Sequence, residues 1–216
     1  MNRPFIAGVL AGSLPRLRDP LDPAAAVARR RSRLRGDHIV DARVRIPAEL
    51  RNAAVLVPLV DHPGGIRVLL TRRTDDLPHH AGQVAFPGGR LDDTDRDPVH
   101  TALREAEEEI GLPPCAVDVV GRLDDYITGT GYVVAPIVGF VEPGADYVPD
   151  PSEVDDVFEV PLGFFMDPAN HKRETKRWKE IERTFYAMHW NGRYIWGATA
   201  AMLVNLYEVL TRKAAA

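Results

Sequence analysis

Residues 98–112 read PVHTALREAEEEIGL. At roughly 100° per residue, Val99, Leu103, Ala106 and Ile110 fall in one narrow apolar stripe, so the spacing predicts a helix with that face on a core. Glu105, Glu108 and Glu109 gather on a different face. Each like-charge pair at i, i+3 or i+4 costs a few tenths of a kcal/mol. Arg104 stands four residues before Glu108 and can pair with it, but one arginine cannot neutralise three carboxylates. A hard divalent cation with oxygen ligands can, and Mg²⁺ held partly by carboxylates and partly by substrate phosphates is the usual solution. The plain alternative is a solvated acidic face.

Working outward, Pro87-Gly88-Gly89 stops a short strand at Val84-Ala85-Phe86, and Gly111 ends the helix. Glycines there let backbone approach a ligand, and exposed loop N–H groups can receive phosphate. Ala53 to Val60 (AAVLVPLV) and Ile66 to Thr71 (IRVLLT) read as a hairpin turned by His62-Pro63-Gly64-Gly65. Further strands are expected at Ala116 to Leu123 and Tyr132 to Val141, both rich in β-branched residues. Asn191-Gly192 suits a type I′ turn between Thr184–Trp190 and Arg193–Trp196. A helix over Ala198 to Arg212 follows, with Met202, Leu203, Leu206, Val209 and Leu210 at helical spacing. Asp167 to Glu182 reads as a charged, poorly periodic insertion. Mixed strands and helices make the domain α/β or α+β.

The chain has 216 residues, 45% hydrophobic and 27% charged, enough apolar material for one core. Its 27 Lys and Arg against 31 Asp and Glu give net −4, which offers no general polyanion-binding surface; a nucleic-acid partner is not expected. Cys115 is the single cysteine, which excludes an internal disulfide and a Cys-based zinc site and fits a reducing compartment. The apolar run Phe5 to Leu14 is far shorter than the roughly 20 residues that span a bilayer, and no small-x-small cleavage site follows it. A membrane partner and secretion are therefore not expected, and the location read from the sequence is cytoplasmic. The Arg-rich stretch Ala28 to Arg35 reads as the solvated face of an N-terminal helix. Residues 1–45 are expected as a helical extension packed on a core formed by 46–216.

Gly89 through Leu112, with Arg104-Glu105-Ala106-Glu107-Glu108-Glu109-Ile110-Gly111-Leu112, resembles the Nudix box: a glycine, a spacer, an acid, a spacer, then Arg-Glu-U-x-Glu-Glu-x-Gly-U, with U aliphatic. The resemblance implies an α/β/α sandwich with a mixed central sheet, divalent-metal dependence, and hydrolysis of a diphosphate joining a nucleoside to another group. It implies Glu105, Glu108 and Glu109 as ligands of Mg²⁺ or Mn²⁺, with Arg104 orienting the carboxylates. One departure stands out. The loop is one residue longer than the general pattern: Asp95 keeps the spacing from Gly89, while Arg96 occupies the spacing from Arg104. Asp95 can still accept a hydrogen bond or hold a metal-bound water.

Leu69 to Gly89, LLTRRTDDLPHHAGQVAFPGG, resembles the segment that precedes the box in the coenzyme A diphosphatases of this family, a subgroup that also tends to carry Asp-x-x-Asp after the glycines, here Asp92 and Asp95. That resemblance implies coenzyme A or an acyl-coenzyme A as substrate, with 3′,5′-ADP and 4′-phosphopantetheine as products. Arg73, His80, Gln83, Gly88 and Gly89 are the residues expected on the substrate; Arg72 beside Arg73 can also clamp phosphate through its forked donors. His38, His62, His100, His171 and His189 lack ligand-like company and read as structural. Glu153 is the candidate general base, from the acidic segment Pro151 to Leu162, which reads equally as a surface loop. Other readings keep the fold but change the substrate to ADP-ribose, a dinucleoside polyphosphate or a damaged nucleotide, or remove catalysis and leave a nucleotide-sensing module. A homodimer is compatible with the sequence.

Overall fold

A computed structural model describes residues 1–16, 18–19, 34–178 and 181–212. Its strands, in chain order, are β1 (Leu34–Gly36), β2 (Arg51–His62), β3 (Gly65–Arg73), β4 (Val84–Ala85), β5 (Gly88–Arg90), β6 (Val117–Arg122), β7 (Asp125–Ile127), β8 (Tyr132–Val141), β9 (Val154–Pro161), β10 (Lys172–Trp178), β11 (Ile181–Trp190) and β12 (Arg193–Trp196). The helices are α1 (Arg3–Leu10), α2 (Asp37–Val40), α3 (Pro98–Ile110), α4 (Leu162–Phe165) and α5 (Gly197–Arg212).

β2 is the axis of the molecule. It runs parallel to β8 in unbroken register from Arg51↔Tyr132 to Val60↔Val141, and antiparallel to β3 and β5. β1 and β7 extend the sheet beyond β8, β6 also pairs with β8, and β9 pairs with β3. Successive side chains of a strand point to opposite faces, and β8 uses this fully. Val133, Ala135, Ile137 and Val141 join the core under α3, while Val134, Val138 and Phe140 join the core under α1 and α5. From α3 the first core receives Val99, Ala102, Ala106 and Ile110; from α1 and α5 the second receives Ile6, Leu10, Leu203, Leu206 and Leu210. Helix, mixed sheet and helix thus form three layers. No helix among the described residues is long and apolar enough to cross a membrane.

Two expectations need correcting, and a third needs extending. Pro87 does end the short strand, β4 stopping at Ala85, but the glycines after it open another, since Gly88–Arg90 forms β5 against Ala53–Val55 of β2. The segment after Pro151 is mostly strand, since β9 pairs along β3 from Arg67 to Arg73. Asp167 to Glu182 is not an irregular insertion. It supplies β10, which with β11 and β12 makes a separate three-stranded antiparallel sheet; its exposed, alternately charged face hid the strand from a hydrophobic pattern. The Asn191-Gly192 turn closes β11 onto β12 with both residues at positive φ. The basic stretch at 28–33 lies outside the described residues; Arg35, at its end, sits in β1 and ion-pairs with Asp124 and Glu208. α1, within the expected N-terminal extension, buries Ile6 and Leu10.

Asp41 ties the segment after α2 to the small sheet. Its carboxylate, 3% exposed, accepts from Arg43 Nε at 2.8 Å and from the Thr184 backbone N–H at 2.8 Å. The Arg43 guanidinium holds this carboxyl well below its ordinary 3.8. A depressed native pKa adds stability above the unfolded value and loses it as pH falls, because the unfolded chain takes the proton first. Asp41→Asn is therefore expected to lower the urea midpoint at pH 7, with the gap to the parent protein closing as pH drops below 3.8.

Candidate active site

The acidic helix α3 starts where Asp97 caps it, its side chain accepting from the His100 N–H at 2.9 Å. It ends at Gly111, in the left-handed conformation, whose N–H bonds Ala106 and Glu107 carbonyls. The helix lies against β5, and that contact is very close. A Cβ on Gly89 would sit 2.6 Å from the Glu105 carboxylate, and one on Gly88 would sit 2.4 Å from the Ala54 carbonyl. Gly88, at φ 152°, is thus required by the closeness of β5 to the β2 backbone, whereas the crowding at Gly89 comes from the end of the Glu105 side chain. Nor is the Gly88 N–H open to a phosphate: it donates to Glu109 Oε2 at 3.2 Å.

Arg104 is the organising cation. It meets Asp95 with two donors, Nε to Oδ1 at 3.1 Å and Nη2 to Oδ2 at 2.9 Å. The same guanidinium lies 3.0 Å from Glu105 Oε1 and donates to Glu108 Oε2 at 2.8 Å. Asp95, with its side chain fully buried, also accepts from Thr101 Oγ1 and the Asp92 N–H, both at 2.9 Å, and meets His100 Nδ1 at 2.8 Å. Burial alone would raise the Asp95 pKa, but Arg104, the Asp92 N–H and Thr101 outweigh it and hold the carboxyl well below the usual range. Asp95 is thereby an anchor for Arg104, beneath the surface. His100, read as structural, belongs to this anchor.

The acidic residues divide. Glu109 is 4% exposed, and burial pushes its carboxyl up to about 8 despite the Gly88 N–H and Arg73. Glu105 is also raised by burial, against the pull of Arg104. Glu153 adds negative charge to both. Glu108 stands apart from the expected set, 60% exposed and turned onto Arg104.

Among the described residues no three His, Cys, Asp or Glu side chains close into a ready metal cage. Mg²⁺ does not need one, because it uses one or two carboxylates and completes its shell with water and substrate phosphate. Glu105 and Glu109 fit that demand. Both are oxygen donors whose burial disfavours their charge until a cation compensates it.

The upstream residues also separate. Arg72 and Arg73 part at a register shift in the pairing of β3 with β9. Arg72 is taken by Asp75, at 2.8 Å, and by Asp155, away from the acidic helix. Arg73 points to the acidic site, with Nη1 3.6 Å from Glu109 and Nη2 3.8 Å from Glu153. Its Nε is buried with no hydrogen-bond partner. His80, at φ 59°, and Gln83 pair with each other at 2.8 Å. Arg73, His80, Gln83, Gly88 and Gly89 all line one cavity of about 590 Å³. The sequence reading missed its other wall, which comes from Arg183, Phe185 and Trp196 of the small sheet; only the hairpin signal at Asn191-Gly192 pointed there.

A NUDIX domain family model matches residues 50–187. NudL of Shigella flexneri serotype 5b, described as an uncharacterized Nudix hydrolase, is 43% identical over 164 residues, covering 75% of this chain and 84% of that protein. NudL of Pectobacterium atrosepticum is 40% identical over 177 residues, covering 79% and 91%. The crystal structure of RenU, a Nudix hydrolase from M. smegmatis, is 25% identical with a TM-score of 0.46, covering 52% of this chain and 71% of that one. With its box on α3, its glycines on β5 and relatives this similar over most of their length, the chain belongs to the Nudix family and has its mixed α/β fold.

Proposed function

We propose that this Nudix protein hydrolyses the diphosphate bond of coenzyme A or an acyl-coenzyme A, giving 3′,5′-ADP and (acyl-)4′-phosphopantetheine, with Mg²⁺ or Mn²⁺ as cofactor. Family membership supports the coarser reaction, hydrolysis of a nucleoside diphosphate derivative, and Nudix hydrolases generally use such ions. The finer substrate rests on one observation: the segment resembling that of the coenzyme A diphosphatases delivers Arg73, His80, Gln83 and both glycines to a single cavity wall beside Glu105 and Glu109. The reading places the reaction in the cytoplasm, with a small molecule as partner.

In this arrangement Glu105 and Glu109 would hold the cation, and the Asp95–Arg104 pair fixes the Glu105 carboxylate before substrate arrives. When bound, the ion would neutralise anhydride charge and polarise the phosphoryl group. Arg73 presents donors to the diphosphate, its buried Nε being unspent. Glu153, about half exposed and 3.8 Å from Arg73, is the candidate general base for the attacking water.

Purified protein incubated with coenzyme A, ADP-ribose and NADH, each with Mg²⁺, Mn²⁺ or EDTA, is expected to yield product from coenzyme A with metal only. Turnover of ADP-ribose instead would replace the substrate, and tight binding without product would turn the protein into a sensing module. Glu109→Gln is expected to abolish turnover, whereas Glu108→Gln lowers kcat/KM no more than about fivefold, because an exposed ion pair contributes about 1 kcal/mol at most. Asp95→Asn should raise the Mg²⁺ concentration for half-maximal rate by about 10–100-fold, the usual cost of losing a partner that orients a ligand. Unchanged turnover in Glu153→Gln would remove it as the base.

A further inference from the structure

The cavity beside the acidic helix has a second cationic end with no assigned role. Arg183 and Phe185 share a face of β11, two residues apart, and both line the cavity with Trp196 of β12. Phe185 and Trp196 touch, ring centres 5.1 Å apart, and Trp196 stacks on Tyr194 at 6.2 Å and 22°. On the same face, Lys176 stands directly across from Arg183 in the β10–β11 register. Its Nζ lies 4.1 Å above the Tyr194 ring and 5.9 Å above that of Phe185.

Two like charges opposite one another on a sheet repel. Lys176 is relieved by the rings beneath it and by the charge of Glu174, but Arg183 is not: among the described residues it has no ion-pair partner, and its Nη1 is buried without a hydrogen bond. Glu174, on this face, spends its oxygens on His189 Nε2 at 2.9 Å and the Tyr194 hydroxyl at 2.7 Å. Asp37, the one acid lining the cavity, accepts from the Tyr126 hydroxyl and the Gly129 N–H, each at 2.6 Å. Against that one acid the cavity wall carries Arg73, Arg90 and Arg183. An unspent guanidinium beside a wall of flat rings matches a phosphate next to a nucleobase.

We propose that Arg183, with Lys176, Phe185 and Trp196, forms a subsite for the nucleoside end of the substrate, and that Arg183 binds a phosphate on the ribose separate from the diphosphate that is cleaved. This deepens the coenzyme A reading and rests on it. Arg183 is then a specificity-determining residue, remote from the bond that breaks.

Calorimetric titration with 3′,5′-ADP and with 5′-AMP tests this. The parent protein binds 3′,5′-ADP more tightly. Arg183→Gln weakens 3′,5′-ADP by about tenfold or more, the size of a hydrogen bond to a charged group, and leaves 5′-AMP unchanged. Arg183→Lys, which keeps the charge, retains part of the preference. Equal weakening of both nucleotides, or of neither, overturns the proposal. Should Arg183→Gln fail to fold, the parent protein decides alone, since equal affinity for the two nucleotides overturns it as well. Coenzyme A hydrolysis by the parent protein is scored separately: no turnover there sinks the substrate reading, while turnover with no effect of Arg183→Gln sinks the subsite.

Discussion

The two-pronged contact between Arg104 and the fully buried Asp95 is the constraint on which the rest of the site depends. A buried carboxylate is costly unless it is paired and hydrogen-bonded, and Asp95 meets both conditions through the guanidinium, the Thr101 hydroxyl and the Asp92 N–H. Breaking the pair would leave charge stranded on either side. Because Arg104 also touches Glu105 and Glu108, its fixed plane sets where those oxygens stand. The longer loop is thus a structural part of the box, since it is the loop that brings Asp95 to Arg104.

From this anchor the remaining acids acquire distinct environments. Glu108 is neutralised at the surface. Glu109 is held in the interior, with one backbone N–H and a distant arginine as its partners. Glu105 lies between these extremes. One helix face therefore carries three identical side chains in three different environments, and the difference comes from depth and partner rather than from sequence identity.

Much of this was legible from residue order. The period of Val99, Leu103, Ala106 and Ile110 gave α3, continuous β-branched runs gave β2 and β8, and Asn191-Gly192 gave the β11–β12 turn. Local chemistry determines such features. What escaped depends on contacts distant along the chain. β5 was hidden because glycines carry no strand signal, and only its pairing with β2 reveals it. The strand in the charged segment before Trp178 was hidden because polar residues fill it. The separation of Arg72 from Arg73 coincides with a register shift between β3 and β9 that no local pattern announces, and the acids that claim Arg72 come from a nearby turn and from β9. The far wall of the cavity belongs to a second sheet, and no spacing within the box announces it.

The parallel pairing of β2 with β8 carries a consequence for how this protein comes into being. Parallel partners require a long crossover, and here it includes β5, α3 and the whole acidic motif. Contacts between distant residues are slow to form because the intervening chain must first lose its freedom. On a ribosome, the chain that already contains the box still lacks the strand that completes its sheet. Assembly of the site therefore waits for residues 132–141 to emerge and dock, and a nascent chain arrested earlier would display the motif without the sheet that carries it.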